Sequence, residues 1–265
     1  MNRIEGTHCV WRLLLVGVTT LGAATACTPG DSGDAAIGTR LTTGAAAELL
    51  SRGFNRFEPG GRGLEMLSRA APNGPDPDEI TIDALGVDFG TSEAPLRIIE
   101  FFDYGCGYCR RFHQETRGPI HEQYVDRGQL FWKSLPFVIG RWPASVPVSL
   151  AAECVRDQGR SYFEAFSSLL FQRQSEWKST SAPEEVAADL AEEVGLDMER
   201  YGTCFENDEF LWRVQAQTAF AQELGVRGTP TFLLIGWGPI MGTLPLEMFQ
   251  MIIDTMLVEV ASGQP

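Results

Sequence analysis

Two cysteines, Cys106 and Cys109, stand three apart at the end of a dense apolar run, in Ile98-Ile99-Glu100-Phe101-Phe102-Asp103-Tyr104-Gly105-Cys106-Gly107-Tyr108-Cys109-Arg110-Arg111-Phe112-His113. Such a pair can serve as a structural bridge, as half of a zinc site, or as a redox couple. If a helix opens near Cys106, two residues three apart in its first turn have Cα atoms about 5 Å apart, within reach of a disulfide. The unpaired N–H groups and positive dipole end of that helix favour an anion, so Cys106 is expected to be the stabilised thiolate, with Arg110 adding charge one turn on. Zinc wants four ligands, and the chain has no second Cys-x-x-Cys and no His-x-His. The context of a buried strand followed by a helix therefore reads as redox chemistry.

The elements that must position the pair follow from periodicity. Leu96 to Phe102 is a near-continuous apolar run of strand length, as expected for a strand buried on both faces. Ile80-Thr81-Ile82 reads as an edge strand, and Gly86 to Pro95 as turns. The helix after Cys106 carries Phe112 and, past Gly118-Pro119, Ile120 and Tyr124, with Pro119 expected to kink it. Leu130 to Leu135 is a second strand, which makes a βαβ unit. About 80 residues of helix follow, with Leu150, Ala151, Cys154 and Val155 on one face. Tyr162, Phe163, Phe166, Leu169 and Leu170 then repeat at helical spacing as core packing. Pro183 opens a helix that Gly195 ends, and Asp208 to Leu224 is another. Gly228 to Ile235 returns to strand, Gly236 to Pro239 turns, Ile240-Met241 is a short partner, and a last helix opens at Pro245. The expected class is α/β, an open mixed sheet in the order βαβ, helical insertion, ββα.

Composition bounds the function. The chain has 265 residues, with 21 Lys and Arg against 35 Asp and Glu, for a net charge of −14. That argues against a nucleic-acid surface, which needs clustered positive charge. Arg3 and Arg12 precede Leu13-Leu14-Leu15-Val16-Gly17-Val18 and then small residues up to Cys27, an export-signal pattern too short in its apolar part to span a membrane. Cleavage before Cys27 and bacterial lipoprotein processing, with Cys27 the lipidated first residue, are both open; lipidation is the expected reading. The expected boundaries are 1–26 signal peptide, 27–78 flexible tether with one short helix near Ala45 to Arg52, 79–138 and 226–265 the two parts of the sheet domain, and 139–225 the helical insertion. In an oxidising compartment the four cysteines of the body suggest two disulfides. Three pairings are possible, and a labile Cys106–Cys109 with a structural Cys154–Cys204 is the expected one, the latter closing a loop of about 50 residues.

Taken with Gly228-Thr229-Pro230-Thr231-Phe232, the stretch Glu100 to His113 resembles the DsbA-like branch of the thioredoxin superfamily, over residues about 80 to 260 and including the helical insertion. The resemblance implies a thioredoxin-like fold, Cys106 as attacking thiolate, Cys109 as resolving thiol, and a cis Thr229-Pro230 peptide that faces the cysteines and offers backbone to an extended substrate, beside Gly107 and Tyr108. It also implies that Glu100 is a buried proton acceptor for the resolving cysteine. Burial raises a carboxyl pKa toward the range of a thiol, provided that a partner such as Lys133 does not hold it ionised; a polar strand-end residue satisfied by Lys133 is the competing reading. His113 is expected on a solvated helix face, Asp103 as a turn residue, and Tyr108 exposed toward substrate.

The function expected is an exported thiol–disulfide oxidoreductase acting on cysteine-containing exported proteins, reset by a redox partner protein, touching membrane only through a lipid anchor, with no cofactor and no resident metal. The direction of electron flow is open: Gly-Tyr between the cysteines and Thr before Pro230 resemble the isomerase and reductase branches more than the strong oxidant. The alternative, from another class, is a binding module of the same fold that holds a partner or a soft metal such as Cu(I) on the two thiols without turnover.

Overall fold

The computed structural model describes residues 71, 73–76 and 79–263. The export signal, Cys27 and the helix expected near Ala45 lie outside the described residues. A five-stranded sheet has the order β1-β3-β2-β4-β5, with β1 Val87–Phe89, β2 Leu96–Phe102, β3 Leu130–Pro136, β4 Thr231–Leu234 and β5 Gly238–Met241. β2 and β3 are parallel and the other pairings antiparallel. The βαβ unit and the ββα return are thus the two halves of one sheet, with β2 at its centre.

The edge strand is a correction. Ile82–Ala84 is a turn of 3-10 helix, and β1 lies later, inside the stretch expected to be turns, where Val87 and Phe89 are buried on either side of exposed Asp88. Three residues of alternation between glycines are enough to pair with β3 but too few to stand out as a strand.

Between the parallel strands runs α1, Gly107–Glu115, then α2, Arg117–Ile120, and a π-helical turn, His121–Val125. Pro119 does break the helix, but at Thr116 rather than at itself. Its ring excludes the carbonyl four residues back, that of Glu115, so α1 ends there.

After β3 come α3 Ser145–Gln158, α4 Arg160–Gln172, α5 Gln174–Ser179, α6 Pro183–Glu193, α7 Met198–Glu206 and α8 Leu211–Glu223, and after β5 the closing α9 Leu246–Ser262. Alternation along β2 divides the sheet between two cores. Ile98 and Phe102 face the larger core, with Phe112 of α1, Trp132, Phe232, Phe249 of α9 and the helices α3 to α7. Ile99 and Phe101 face a smaller one, closed by Ala216, Phe220 and Ala221 of α8. Tyr162, expected in the core, is 36% exposed at the rim of α4.

Candidate active site

β2 ends at Phe102, and the four residues Asp103 to Cys106 turn the chain into α1, whose N-cap is Cys106. The turn is tight enough to require Gly105: a Cβ there would lie 2.6 Å from Ser145 Oγ and 2.8 Å from Trp142 Cβ. Asp103 organises it. Its carboxylate accepts hydrogen bonds from Gly105 N at 2.8 Å, Ser145 Oγ at 2.5 Å and Ile139 N at 3.0 Å. Burial, with a smaller contribution from the charge on Cys106, raises its pKa to about 6 against the opposing pull of those donors. The turn residue expected from the sequence is therefore also a titratable group that senses the redox site.

Cys106 and Cys109 are both free thiols and both buried, at the start of α1. Their environments drive them apart. The thiol of Cys109, hydrogen-bonded to Cys106, is the largest influence lowering the Cys106 pKa to about 5; burial opposes it, and Thr229 and the amides of Cys109 and Tyr108 assist. Burial pushes Cys109 well above the ordinary thiol value, and the neighbouring Cys106 adds to this. One sulfur is a ready anion at neutral pH and the other a retained thiol, the asymmetry that a nucleophile and a resolving group need.

The loop before β4 faces them. The Thr229–Pro230 peptide is cis, and Cys106 Sγ lies 3.2 Å from the Thr229 carbonyl, to which it donates when protonated. Tyr108, between the cysteines, is 60% exposed, and a Cβ on Gly107 would meet nothing within 4 Å, so the approach to Cys106 is open on that side. Cys154 on α3 and Cys204 on α7 form a disulfide with Cα atoms 5.8 Å apart.

The partner expected for Glu100 is a second correction. It is fully buried and faces the larger core, but Lys133 is not its partner. In the parallel register Glu100 pairs with Ser134, and Lys133, opposite Ile99, points the other way to Asp88 at 2.5 Å and the Leu85 carbonyl. One Glu100 oxygen is 2.8 Å from His113 Nε2; the other accepts from Trp132 Nε1 and Ser134 Oγ, both at 3.1 Å. Burial works against its charge, yet His113, Arg117 and Trp132 outweigh burial and hold the carboxyl below its usual range. A carboxylate so held is a weak acceptor for a thiol proton. His113, expected on a solvated face, is instead mostly covered, packed against Phe171 with ring centroids 4.2 Å apart, and desolvation lowers its pKa. Beside this pair lies a cavity of about 240 Å³ lined by His113, Arg117, Ser134, Glu164 and Ser167. Among the described residues no group of three or more His, Cys, Asp or Glu side chains is arranged to hold a metal ion.

A family model described as thioredoxin matches residues 85–255. The chain is 27% identical over 151 residues to "Probable disulfide bond formation protein D" of Bacillus anthracis, which covers 56% of this chain and 68% of that protein. It is 24% identical over 143 residues to disulfide bond formation protein D of Bacillus subtilis, covering 54% and 64%. The chain spans between 55% and 68% of the length of such relatives. In fold it is similar to the crystal structure of oxidised BdbD from Bacillus subtilis, with a TM-score of 0.59 at 21% identity, over 67% of this chain and 95% of that one.

Proposed function

The chain belongs to the thioredoxin family, and from that premise we propose that it is an exported thiol–disulfide oxidoreductase that donates disulfides to cysteine-containing proteins. The observation that carries the reading is the opposed titration of the two sulfurs, Cys106 down to about 5 and Cys109 well up, at a helix start beneath a cis Thr229–Pro230 peptide. A thiolate that stable favours the dithiol form, which makes the disulfide form an electron acceptor. This runs against the isomerase or reductase likeness of the Gly-Tyr dipeptide, because the field around Cys106 governs its thiolate more directly than the residues between the cysteines do.

In the donating cycle a substrate thiolate attacks Cys106 Sγ of the Cys106–Cys109 disulfide. The S–S bond breaks, its electron pair leaves on Cys109, and Cys109 takes up a proton. A second substrate thiolate then attacks the substrate sulfur of the mixed disulfide and expels Cys106 as thiolate. Two electrons have passed from the substrate dithiol to the protein, and a partner carrying a disulfide removes them by the reverse exchange. Thr229 and Pro230 supply backbone along which an extended substrate lies, with Gly107 and Tyr108 at the entrance.

Export rests on the Met1 to Cys27 pattern, with residues 1–26 removed, Cys27 lipidated and residues 27–78 a tether to a cell-envelope membrane. Among the described residues no helix is long and apolar enough to cross a membrane. The test is oxidative refolding of a reduced, unfolded ribonuclease by the oxidised protein, beside insulin reduction by the reduced protein. Refolding that is stoichiometric, and abolished in Cys106→Ser, is expected; faster insulin reduction without refolding activity overturns the donor direction, and no activity in either assay overturns the enzyme.

A further inference from the structure

The carbonyls of Tyr104, Gly105 and Cys106 in the redox turn are all three taken by side chains of one short helix. On α5, Gln174 and Lys178 are four apart and share a face. Gln174, only 3% exposed, donates from Nε2 to the Tyr104 carbonyl at 2.6 Å and the Cys106 carbonyl at 3.0 Å. Lys178 Nζ donates to the Gly105 carbonyl at 2.6 Å and stands 4.9 Å from the centroid of the Trp142 ring. With Asp103 holding Gly105 N from the other side, the turn is gripped on both edges.

Satisfying buried carbonyls explains the amide of Gln174, since an unpaired buried acceptor is costly. It does not explain the ammonium. A neutral donor would serve Gly105 equally well, and even the partial withdrawal of a charge from water that Lys178 undergoes is unfavourable unless something compensates. Burial lowers the Lys178 pKa, and the groups that oppose this are Asp103 at the end of β2 and Cys106 itself, while Arg110 of α1 adds to the lowering. An ammonium bound to the Gly105 carbonyl also polarises the Gly105–Cys106 peptide toward the nucleophile.

We propose that Lys178, set in place by α5 and keyed by Gln174, is a positioning residue through which the helical insertion sets the thiolate stability of Cys106, and so the redox equilibrium of the pair. The inference deepens the exchange activity proposed above and takes its functional meaning from it. The measurement that tests it reads Cys106 directly, so inactive refolding and insulin assays would sink that activity and leave this result standing.

The experiment follows the ultraviolet absorbance of the thiolate against pH in the reduced protein, together with the equilibrium against a glutathione redox buffer. In Lys178→Met the Cys106 midpoint is expected to rise by about one pH unit, the change usual for losing one nearby opposite charge. The glutathione equilibrium should move up to about tenfold toward the protein disulfide, because one pH unit corresponds to one factor of ten. Lys178→Arg keeps the charge and should restore both values. Lys178→Gln keeps a donor for the Gly105 carbonyl without the charge: it groups with Met if the field acts, and with the wild type if the hydrogen bond alone matters. A Gln variant that titrates as the wild type does overturns the proposal, and it decides the matter even if Lys178→Met fails to fold.

Discussion

Asp103 sits three residues beyond Glu100 on the same chain segment, and the two carboxyls are driven in opposite directions. Asp103 accepts only from neutral donors, Gly105 N, Ile139 N and Ser145 Oγ, and burial dominates, raising its pKa from 3.8 to about 6. An acid whose pKa is raised in the folded state binds more protons there than in the unfolded chain between about pH 4 and 6. Its contribution to stability is therefore present below about pH 4 and lost as pH rises through about 6, a change of roughly 3 kcal/mol for a pKa displaced by about two pH units. Asp103→Asn lacks this titration, although its amide would oppose one of the donors and weaken the turn at every pH. Urea denaturation of the reduced protein and the variant at about pH 4 and pH 7 should show the difference moving by roughly that amount in favour of Asn as pH rises; parallel profiles would contradict the assignment. Strand alternation was legible enough to put Glu100 opposite Ile99 and Phe101. What it met was not legible, since His113 comes from a helix whose rotation about its axis is decided by packing against Phe102 and Phe171.

At the scale of elements, the two parallel central strands were readable because β2 and β3 are continuous apolar runs, buried along most of their length, whereas the three-residue edge strand β1 was not. The helical segment was less legible. α7 is only nine residues long and does not stand out by periodicity, although Asp197 is a plain N-cap whose carboxylate accepts from Glu199 N and Arg200 N, both at 3.0 Å. That short helix matters because it carries Cys204, and the bridge to Cys154 ties it to α3. A cross-link over 50 positions restricts the unfolded chain by about 4 kcal/mol in the chain-entropy model. Replacing both cysteines by alanine should lower the unfolding free energy by about that much, or less where the unfolded chain retains structure, while leaving the Cys106 titration in place. Guanidinium denaturation followed alongside thiolate absorbance tests both halves of this expectation. A variant whose redox titration shifts with its stability would mean that the bridge also shapes the site.

On the scale of the whole molecule, the helices between β3 and β4 are bound into the sheet as closely as its own connections are. Asp103 at the end of β2 accepts from Ile139 and Ser145, the Tyr104 hydroxyl shares a hydrogen bond with Ser167, Val138 N donates to Thr218, and Gly86 N donates to Gln217. The decisive contact is α8, which closes the smaller core over Ile99, Phe101, Leu135 and Phe137. Periodicity revealed α8 as a helix but gave no sign that it covers the sheet, because an amphipathic face does not name its partner. Replacing residues 139–225 by a short Gly-Ser linker would expose those four side chains to water at about 1.5–3 kcal/mol each, roughly 6–12 kcal/mol together. A domain of this kind is stable by only about 5–15 kcal/mol in total, so that single loss is comparable to the whole margin. The shortened chain should therefore show no cooperative thermal unfolding and should bind a hydrophobic dye such as ANS, with the Cys106 pKa moving back toward that of a free thiol as the grip of Gln174 and Lys178 disappears. A sharp transition with a low Cys106 pKa retained would instead mean that β2, α1 and the Thr229–Pro230 loop form the redox site without help from the helices.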